Sequence, residues 1–396
     1  SQPRSTVFFG GILLIIMVFV TRFSYRFLRY VINESIRGKG IKRVMVIGAG
    51  DAGNMIIREI KSSGNLKSKA VCVIDDNRNV HGLYIQGVKI IGGRDQILDS
   101  AKKFKVDEII IAIPSVPSQE RKKILDICKE TQCTLRTIPG MYQIINNEVK
   151  LSDLREVQIE DLLGRDAIDI NVQEILDYVS GKVILVTGAG GSIGSELCRQ
   201  IASHNPAKLV MLDIYENSIY DIQLEITRKY PKMEIEVLIA SIRDEKRIKS
   251  IMNKYRPSII FHAAAHKHVP LMEASPNEAV KNNVFGTLTL VKAADESSVD
   301  KFIMISTDKA VRPTNIMGAT KRICEMIIQA YDKKSKTDFV AVRFGNVLGS
   351  NGSVIPIFKK QIEEGGPVTV THKEITRYFM TIPEAVSLVL QAGYYA

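Results

Sequence analysis

Apolar residues along this chain fall into short runs, and most of them repeat one order: an apolar run, a glycine turn, then a stretch with helical spacing. The first run breaks that order. Val7 to Val20, VFFGGILLIIMVFV, carries no charge, and Arg22, Arg26, Arg29, Arg37, Lys39, Lys42 and Arg43 follow it. It is short for a bilayer span, where about 20 residues are expected. No small-residue cleavage site follows, and the charges lie on the wrong side for a secretory signal. A buried core helix is one alternative. The preferred expectation is a membrane helix over residues 1–30, its basic flank facing the cytoplasm by the positive-inside rule.

From Lys42 the pattern becomes strand, turn, helix in RVMVIGAGDAGNMIIREI, with Gly48, Gly50 and Gly53 in GxGxxG spacing. A second strand, Ala70 to Ile74, ends in Asp75-Asp76, and a third lies near Val88 to Ile91. The continuous run from Glu108 to Ala112 reads as a buried parallel strand. These features predict a Rossmann-like unit over residues 41–139. A lone GxGxxG leaves two readings open, an occupied nucleotide site or a structural or regulatory unit. Residues 140–180, including VQIEDLLGRDAIDIN, lack the Gly/Ser/Pro bias of a flexible linker and read as a packed connector.

The same order recurs from residue 181 to 396 with more detail. Val183 to Val186 leads into TGAGGSIG, placing Gly188, Gly191, Ser192, Ile193 and Gly194 where a tight turn brings backbone to a pyrophosphate at a helix N-terminus. The next strand, Lys208 to Leu212, ends in Asp213. A carboxylate there accepts from ribose hydroxyls and repels a 2′-phosphate, which favours NAD over NADP. Runs at Ile235–Ile239 and Ser258–Phe261 continue the alternation, and the alanines at 263–265 leave room for backbone close to a flat ligand. The fold class expected is α/β, two Rossmann-like doubly wound parallel-sheet domains after an N-terminal membrane helix.

Composition changes this picture little. With 396 residues the chain is long enough for two or three domains. The net charge of +11 points to an anionic partner, yet no nucleic-acid-binding motif accompanies the scattered lysines, so no nucleic acid is expected. Five cysteines without CxxC spacing fit a reducing compartment. His262, His266 and His268 cluster in sequence, but Lys267 among them disfavours a cation, and no metal is expected.

The densest chemistry lies in Met304 to Lys321, MISTDKAVRPTNIMGATK. A strand end presents Thr307, Asp308 and Lys309, and a following helix carries Lys321 four residues after Met317, on the same face. Methionine cannot exchange a proton, so these residues alone leave a dead enzyme, a binding module and an active site with relocated acid–base groups all open.

TGAGGSIG, AAAHKHVP, NNVFGT, ISTDKAVRPTNIMGATK, RFGNVLGSNGSVIP and TRYFMTIPEA together resemble the extended short-chain dehydrogenase/reductases. More narrowly, they resemble the membrane-bound nucleotide-sugar 4,6-dehydratases of polysaccharide and glycan biosynthesis, the CapD-like group. The wider superfamily carries YxxxK where this chain has Met317 and Lys321; in the membrane-bound group a methionine is usual and the Thr-Asp-Lys triplet supplies the chemistry. The resemblance implies a lyase that uses NAD to convert a UDP-N-acetylhexosamine, UDP-N-acetylglucosamine foremost, into its 4-keto-6-deoxy form. It implies Thr307 at the C4 oxygen, Asp308 as acid for the leaving hydroxyl, Lys309 as base at C5, and Lys321 on the nicotinamide ribose. It also implies substrate contacts from Met317, Asn346 and Arg377. A homo-oligomer at the bacterial inner membrane, its catalytic domains cytoplasmic, is expected, and the chain is expected to be a fragment lacking part of the substrate lobe. The alternatives are a nucleotide-sugar 4-epimerase and a non-catalytic membrane-tethered nucleotide sensor.

Overall fold

The computed structural model describes residues 41–62, 68–138, 154–157, 161, 163, 177–350 and 352–396, with residues 17, 18, 20 and 22–24. Most of the stretch Val7–Val20 and most of the connector over 140–180 lie outside the described residues, and the membrane-helix and packed-segment expectations lie there with them. Among the described residues no helix is long and apolar enough to cross a membrane. The chain divides into two compact units, Ser1–Asp166 and Ala167–Ala396.

In the first unit the strands are β1 (Lys42–Ile47), β2 (Ser68–Ile74), β3 (Tyr84–Ile85), β4 (Val88–Gly92), β5 (Glu108–Ile111), β6 (Thr134–Thr137) and β7 (Arg155–Glu156). They lie in the order β3-β4-β2-β1-β5-β6-β7. The five from β4 to β6 are parallel, and β3 and β7 close the edges antiparallel. All four residues of β5 are buried, as its unbroken apolar run demands of a strand covered on both faces. Helix α1 (Asp51–Ser62) buries Ile56, Ile57 and Ile60 along one stripe against this sheet. The sequence reading missed β3. It pairs with β4 across Gln86-Gly87, both with positive φ (47° and 70°), the two-residue hairpin geometry that matches strand twist.

The second unit holds six parallel strands: β8 (Val183–Thr187), β9 (Lys208–Asp213), β10 (Ile235–Ile239), β11 (Ile259–His262), β12 (Lys301–Thr307) and β13 (Asp338–Phe344). Their order, β10-β9-β8-β11-β12-β13, reverses direction between β8 and β11. That reversal opens a crevice at the carboxyl ends of the two strands, where ligands bind in such sheets. Helices α2 (Ser192–Ala202), α3 (Ile316–Asp332) and α4 (Ile382–Tyr395) pack on it. Helix α4 begins in a capping box between Thr381 and Glu384 and sends Val386, Val389 and Leu390 into the core beside Ile303. Beyond the sheet, β14 (Asn346–Val347) and β15 (Phe379–Met380) form a short parallel pair, which ties the RFGN segment to TRYF.

Candidate functional site

The glycine turn after β8 is built from the backbone outward. Gly188 has φ +70°, and a Cβ there would stand 2.6 Å from the Ala264 amide nitrogen. The alanine run after β11 therefore closes against the turn itself. A Cβ at Gly194 would lie 1.9 Å from the Gly188 carbonyl oxygen, so helix and turn approach more closely than any side chain permits. Gly191 precedes α2 as its cap; Ser192 and Ile193 form the first turn with Gly194, and Ile193 packs partly into the core. Asp213 closes the loop: its Oδ2 accepts from the Gly190 amide at 2.9 Å and its Oδ1 from the Tyr215 amide at 3.0 Å. A carboxylate offers about four lone-pair positions, so acceptor capacity remains for a ribose.

Across the crevice, β12 ends in the polar triplet. Thr307 caps a single 3₁₀ turn, Asp308–Ala310, and its hydroxyl donates to Asp308 Oδ1 at 2.9 Å. Lys309 Nζ donates to the same oxygen at 3.1 Å and to Asn346 Oδ1 at 3.0 Å. Burial alone would raise the Asp308 carboxyl; the bonds from Thr307 and Lys309 outweigh it and hold the group below the usual carboxylate range. Asp308 is thus ionised at neutral pH, and to serve as an acid it must first receive a proton.

Helix α3 is seated directly on this triplet. Asn315 caps it through the Gly318 amide, and a Cβ at Gly318 would fall 2.3 Å from the Lys309 carbonyl oxygen. Met317 is buried in a small apolar cluster with Met272 and Ala279. Lys321 is only 6% exposed, and burial pushes its ammonium below the usual lysine range, with partial relief from Cys324 and Glu325. The desolvated amine of the site is this one, whereas Lys309 is only half-buried.

Below Lys321 lies a buried polar layer that the sequence reading did not assemble. His262 hydrogen-bonds Thr187 Oγ1 through Nδ1 at 2.8 Å and Thr287 Oγ1 through Nε2 at 2.9 Å. Burial, and then the nearby Lys321 charge, push its pKa down to about 3, so the ring is neutral and both nitrogens are committed to hydroxyls. Asn283 stands in a π-helical turn, Val280–Phe285. It accepts from the His266 amide and donates to the His266 carbonyl and Thr320 Oγ1, joining the alanine loop to α3. Such π turns mark functional sites often enough that NNVFGT, read as a motif, could have flagged Asn283.

Glu325, one turn beyond Lys321, is 2% exposed and takes Ser306 Oγ at 2.7 Å, Arg343 at 2.7 and 2.5 Å, and Arg322 at 3.0 Å. Burial alone would raise this carboxyl; the bonds from Arg343, Ser306 and Arg322 lower it to about 2. A depressed carboxyl stabilises the fold above its ordinary value and loses that contribution as pH falls through its native value. Stability is therefore expected to drop between about pH 4.5 and 2, by at most about 3 kcal/mol given the partly hydrated guanidiniums. Glu325→Gln should flatten that limb in urea-unfolding midpoints measured against pH, and an unchanged limb would remove Glu325 as its cause.

The structure thus brings Thr307, Asp308, Lys309 and Asn346 into one bonded cluster, with Met317 and Lys321 on the helix seated against it. Gly188, Gly191, Ser192, Ile193, Gly194 and Asp213 form the turn at the facing strand ends. Among the described residues no hydrogen bond joins Arg377 to the cluster; its guanidinium donates to the Thr376 carbonyl. Its neighbour Tyr378 accepts from the Asn346 amide at 3.0 Å, which fixes the Arg377 backbone next to β14. Among the described residues no group of three or more His, Cys, Asp or Glu side chains is placed to hold a metal ion.

Residues 184–396 match the family model described as "Polysaccharide biosynthesis protein", and residues 6–139 match one described as "CoA-binding domain". The chain is 48% identical over 368 residues to the capsular polysaccharide biosynthesis protein CapD of Staphylococcus aureus, covering 92% of this chain and 61% of that protein. It is 34% identical over 216 residues to a UDP-N-acetylglucosamine 4,6-dehydratase (inverting) of Campylobacter jejuni, covering 53% and 63% respectively. It is also 35% identical over 223 residues to a UDP-glucose 4-epimerase of Rickettsia bellii, covering 54% and 63%. The chain spans about three fifths of the length of the curated relatives it matches. Identity alone does not separate the dehydratase from the epimerase.

Proposed function

The chain belongs to the polysaccharide biosynthesis protein family, whose relatives include nucleotide-sugar dehydratases and epimerases of the short-chain dehydrogenase type, and from that premise we propose that it carries the catalytic centre of an NAD-dependent 4,6-dehydratase acting on a UDP-N-acetylhexosamine. The observation that carries this reading is the pairing of Met317, buried among apolar side chains, with the Thr307-Asp308-Lys309 cluster at the end of β12. An epimerase returns hydride to C4 and needs neither an acid at C6 nor a base at C5, whereas the triplet offers both. The thioether of Met317, with no proton to exchange, leaves the C4 proton to the same triplet.

The turn suits NAD: close backbone at Gly188 and Gly194 for the pyrophosphate, and the Asp213 carboxylate for an unphosphorylated ribose. When bound, NAD supplies reversible hydride acceptance, which makes the dehydration internally redox-neutral. Lys321, within reach of the same crevice, is assigned to the nicotinamide ribose.

The chain's own residues handle the protons. As the C4 hydroxyl is oxidised it loses a proton to Thr307, whose own hydroxyl proton passes along its 2.9 Å bond to Asp308. The carboxylate, ionised at rest, thereby becomes the acid required at C6. Oxidation at C4 acidifies the C5 proton, which Lys309 removes. Hydrogen bonds from Lys309 Nζ to Asp308 and Asn346 hold it in place for that step. Asn346 thus positions the base in addition to any contact with the diphosphate. Asp308 gives its proton to the departing C6 hydroxyl, water leaves, and the proton on Lys309 returns to C5. Arg377 is assigned to the substrate diphosphate, a task suited to a planar guanidinium.

The site is placed at the bacterial inner membrane, both units cytoplasmic, on the strength of the apolar run and basic flank at the N-terminal side. Incubating the protein, extended to the length of its relatives, with NAD and UDP-N-acetylglucosamine should give a product lighter by one water with the alkaline absorbance of a 4-keto-6-deoxy sugar. Recovery of unchanged substrate with NAD bound would instead favour a sensor, and recovery of the C4 epimer an epimerase.

A further inference from the structure

The first unit repeats, with its own residues, the contacts that build the glycine turn of the second. Asp75, which follows β2, accepts from the Ala49 amide on Oδ2 at 2.6 Å and from the Asn77 amide, two residues on, on Oδ1 at 2.8 Å. Asp213 does the same with Gly190 and Tyr215. Gly48, at φ +107°, lies so close to β5 that a Cβ would meet the Ala112 carbonyl oxygen at 2.6 Å, and a Cβ on Gly53 would fall 2.0 Å from the Gly48 carbonyl oxygen. Strand β1 lies between β2 and β5, so this turn too stands where the sheet reverses direction.

Gly50 is the informative position. Its φ lies outside the left-handed region, and a Cβ built on it would meet nothing within 4 Å. Neither backbone conformation nor packing calls for glycine there. What the missing side chain leaves is open space in front of the first turn of α1, where a pyrophosphate would rest against free amides.

The surrounding charges define the ligand further. Asp75 and Asp76 stand at the end of β2, where the ribose lies in this fold. Arg94, the guanidinium beside them, is already matched by two carboxylates, Asp76 at 2.7 Å and Glu120 at 2.8 Å. Ribose hydroxyls can donate to this acidic rim. A phosphate monoester on the same ribose would meet carboxylates, and the neighbouring guanidinium is engaged.

We propose that the first unit is a second nucleotide site, separate from the dehydratase centre. It takes a nucleoside diphosphate ester whose ribose hydroxyls are free, with the pyrophosphate on Gly48–Gly53 and the ribose on Asp75. It discriminates against ribose-phosphorylated nucleotides, including the coenzyme in the description of the family model that this region matches.

Equilibrium dialysis of the full chain against ADP tests the site. Two ADP per chain are expected for the unaltered protein and one for Gly50→Leu, whose Cβ meets no protein atom within 4 Å and whose branched end reaches into the space proposed for the pyrophosphate. The ADP retained by the second unit reports that the variant is folded. At the site lost in Gly50→Leu, dephospho-CoA should compete for ADP at least tenfold better than CoA, from which it differs only by the ribose 3′-phosphate. Asp75→Asn, which removes the charge and keeps one of the two acceptors for the turn amides, should keep two ADP sites and narrow that tenfold preference; it decides the matter if Gly50→Leu fails to retain either site. One ADP per chain in the unaltered protein, two in Gly50→Leu, CoA competing as well as dephospho-CoA, or an unchanged preference in Asp75→Asn would each overturn the proposal.

Discussion

Lys321→Met is expected to abolish turnover and to stabilise the chain at the same time. The loss follows from the proposed role: removing the group that positions the nicotinamide ribose costs about 10²-fold or more in rate. The gain follows from burial. Lys321 is 6% exposed, and its ammonium is pushed below the usual lysine range because the surrounding core solvates charge poorly. Methionine has similar length and no charge to bury, so roughly 1–3 kcal/mol of unfolding free energy should be recovered near neutral pH. The sign of the pH dependence is fixed. With its native pKa below the unfolded value near 10.5, the unfolded chain binds more protons in the window between them. The unaltered protein should therefore gain stability as pH rises through that window, and the advantage of Lys321→Met should shrink there. Urea unfolding of both proteins at several pH values gives the comparison. A variant that is inactive and also less stable than the parent at neutral pH would show that Lys321 is held by compensating contacts, and would remove burial as the cause of its depressed pKa.

Asp308→Asn is the second large effect, expected to lower turnover by about 10²–10⁴-fold without loosening nucleotide binding at the Gly188–Gly194 turn. The amide carbonyl can still accept from Thr307 and Lys309, so the geometry of the cluster is kept while its capacity to take up and release a proton is lost. Because Thr307, Asp308 and Lys309 form one bonded chain, their contributions should not add. Lys309→Met is expected to be about as damaging as Asp308→Asn, and the double variant little worse than either. Single-turnover rates with pre-bound cofactor measure this without interference from product release. Near-normal turnover in Asp308→Asn, or strict multiplicativity in the double variant, would break the proposed relay.

The relation of sequence to structure differs from one part of the site to another. The glycine turn was legible because each of its requirements is local. Close backbone at Gly188 and Gly194 admits no side chain, and Asp213 follows at the spacing one helix and one strand impose. Met317 and Lys321 were legible together because helical periodicity puts residues four apart on one face. The alternation of apolar runs likewise gave most of both parallel sheets, missing β3, whose two residues are too few to show a period, and β6, whose four residues TLRT hold one aliphatic side chain.

Contacts between residues far apart in the chain were a different matter. Nothing local to Asn346 says that it accepts from Lys309, 37 residues earlier, and nothing in the His262 segment says that its ring is fixed between Thr187 and Thr287. Glu325 reads from sequence as an ordinary charge on a helix face, until Ser306, Arg322 and Arg343 close around it. Which lysine is desolvated is likewise a property of depth in the packed unit. Sequence alone determined the fold class, the cofactor turn and the residue types available for chemistry, because short-range sterics and periodicity specify them. Only the tertiary structure decided the protonation and pairing of those residues, because burial and long-range hydrogen bonds arise when β11, β12, β13 and α3 come together.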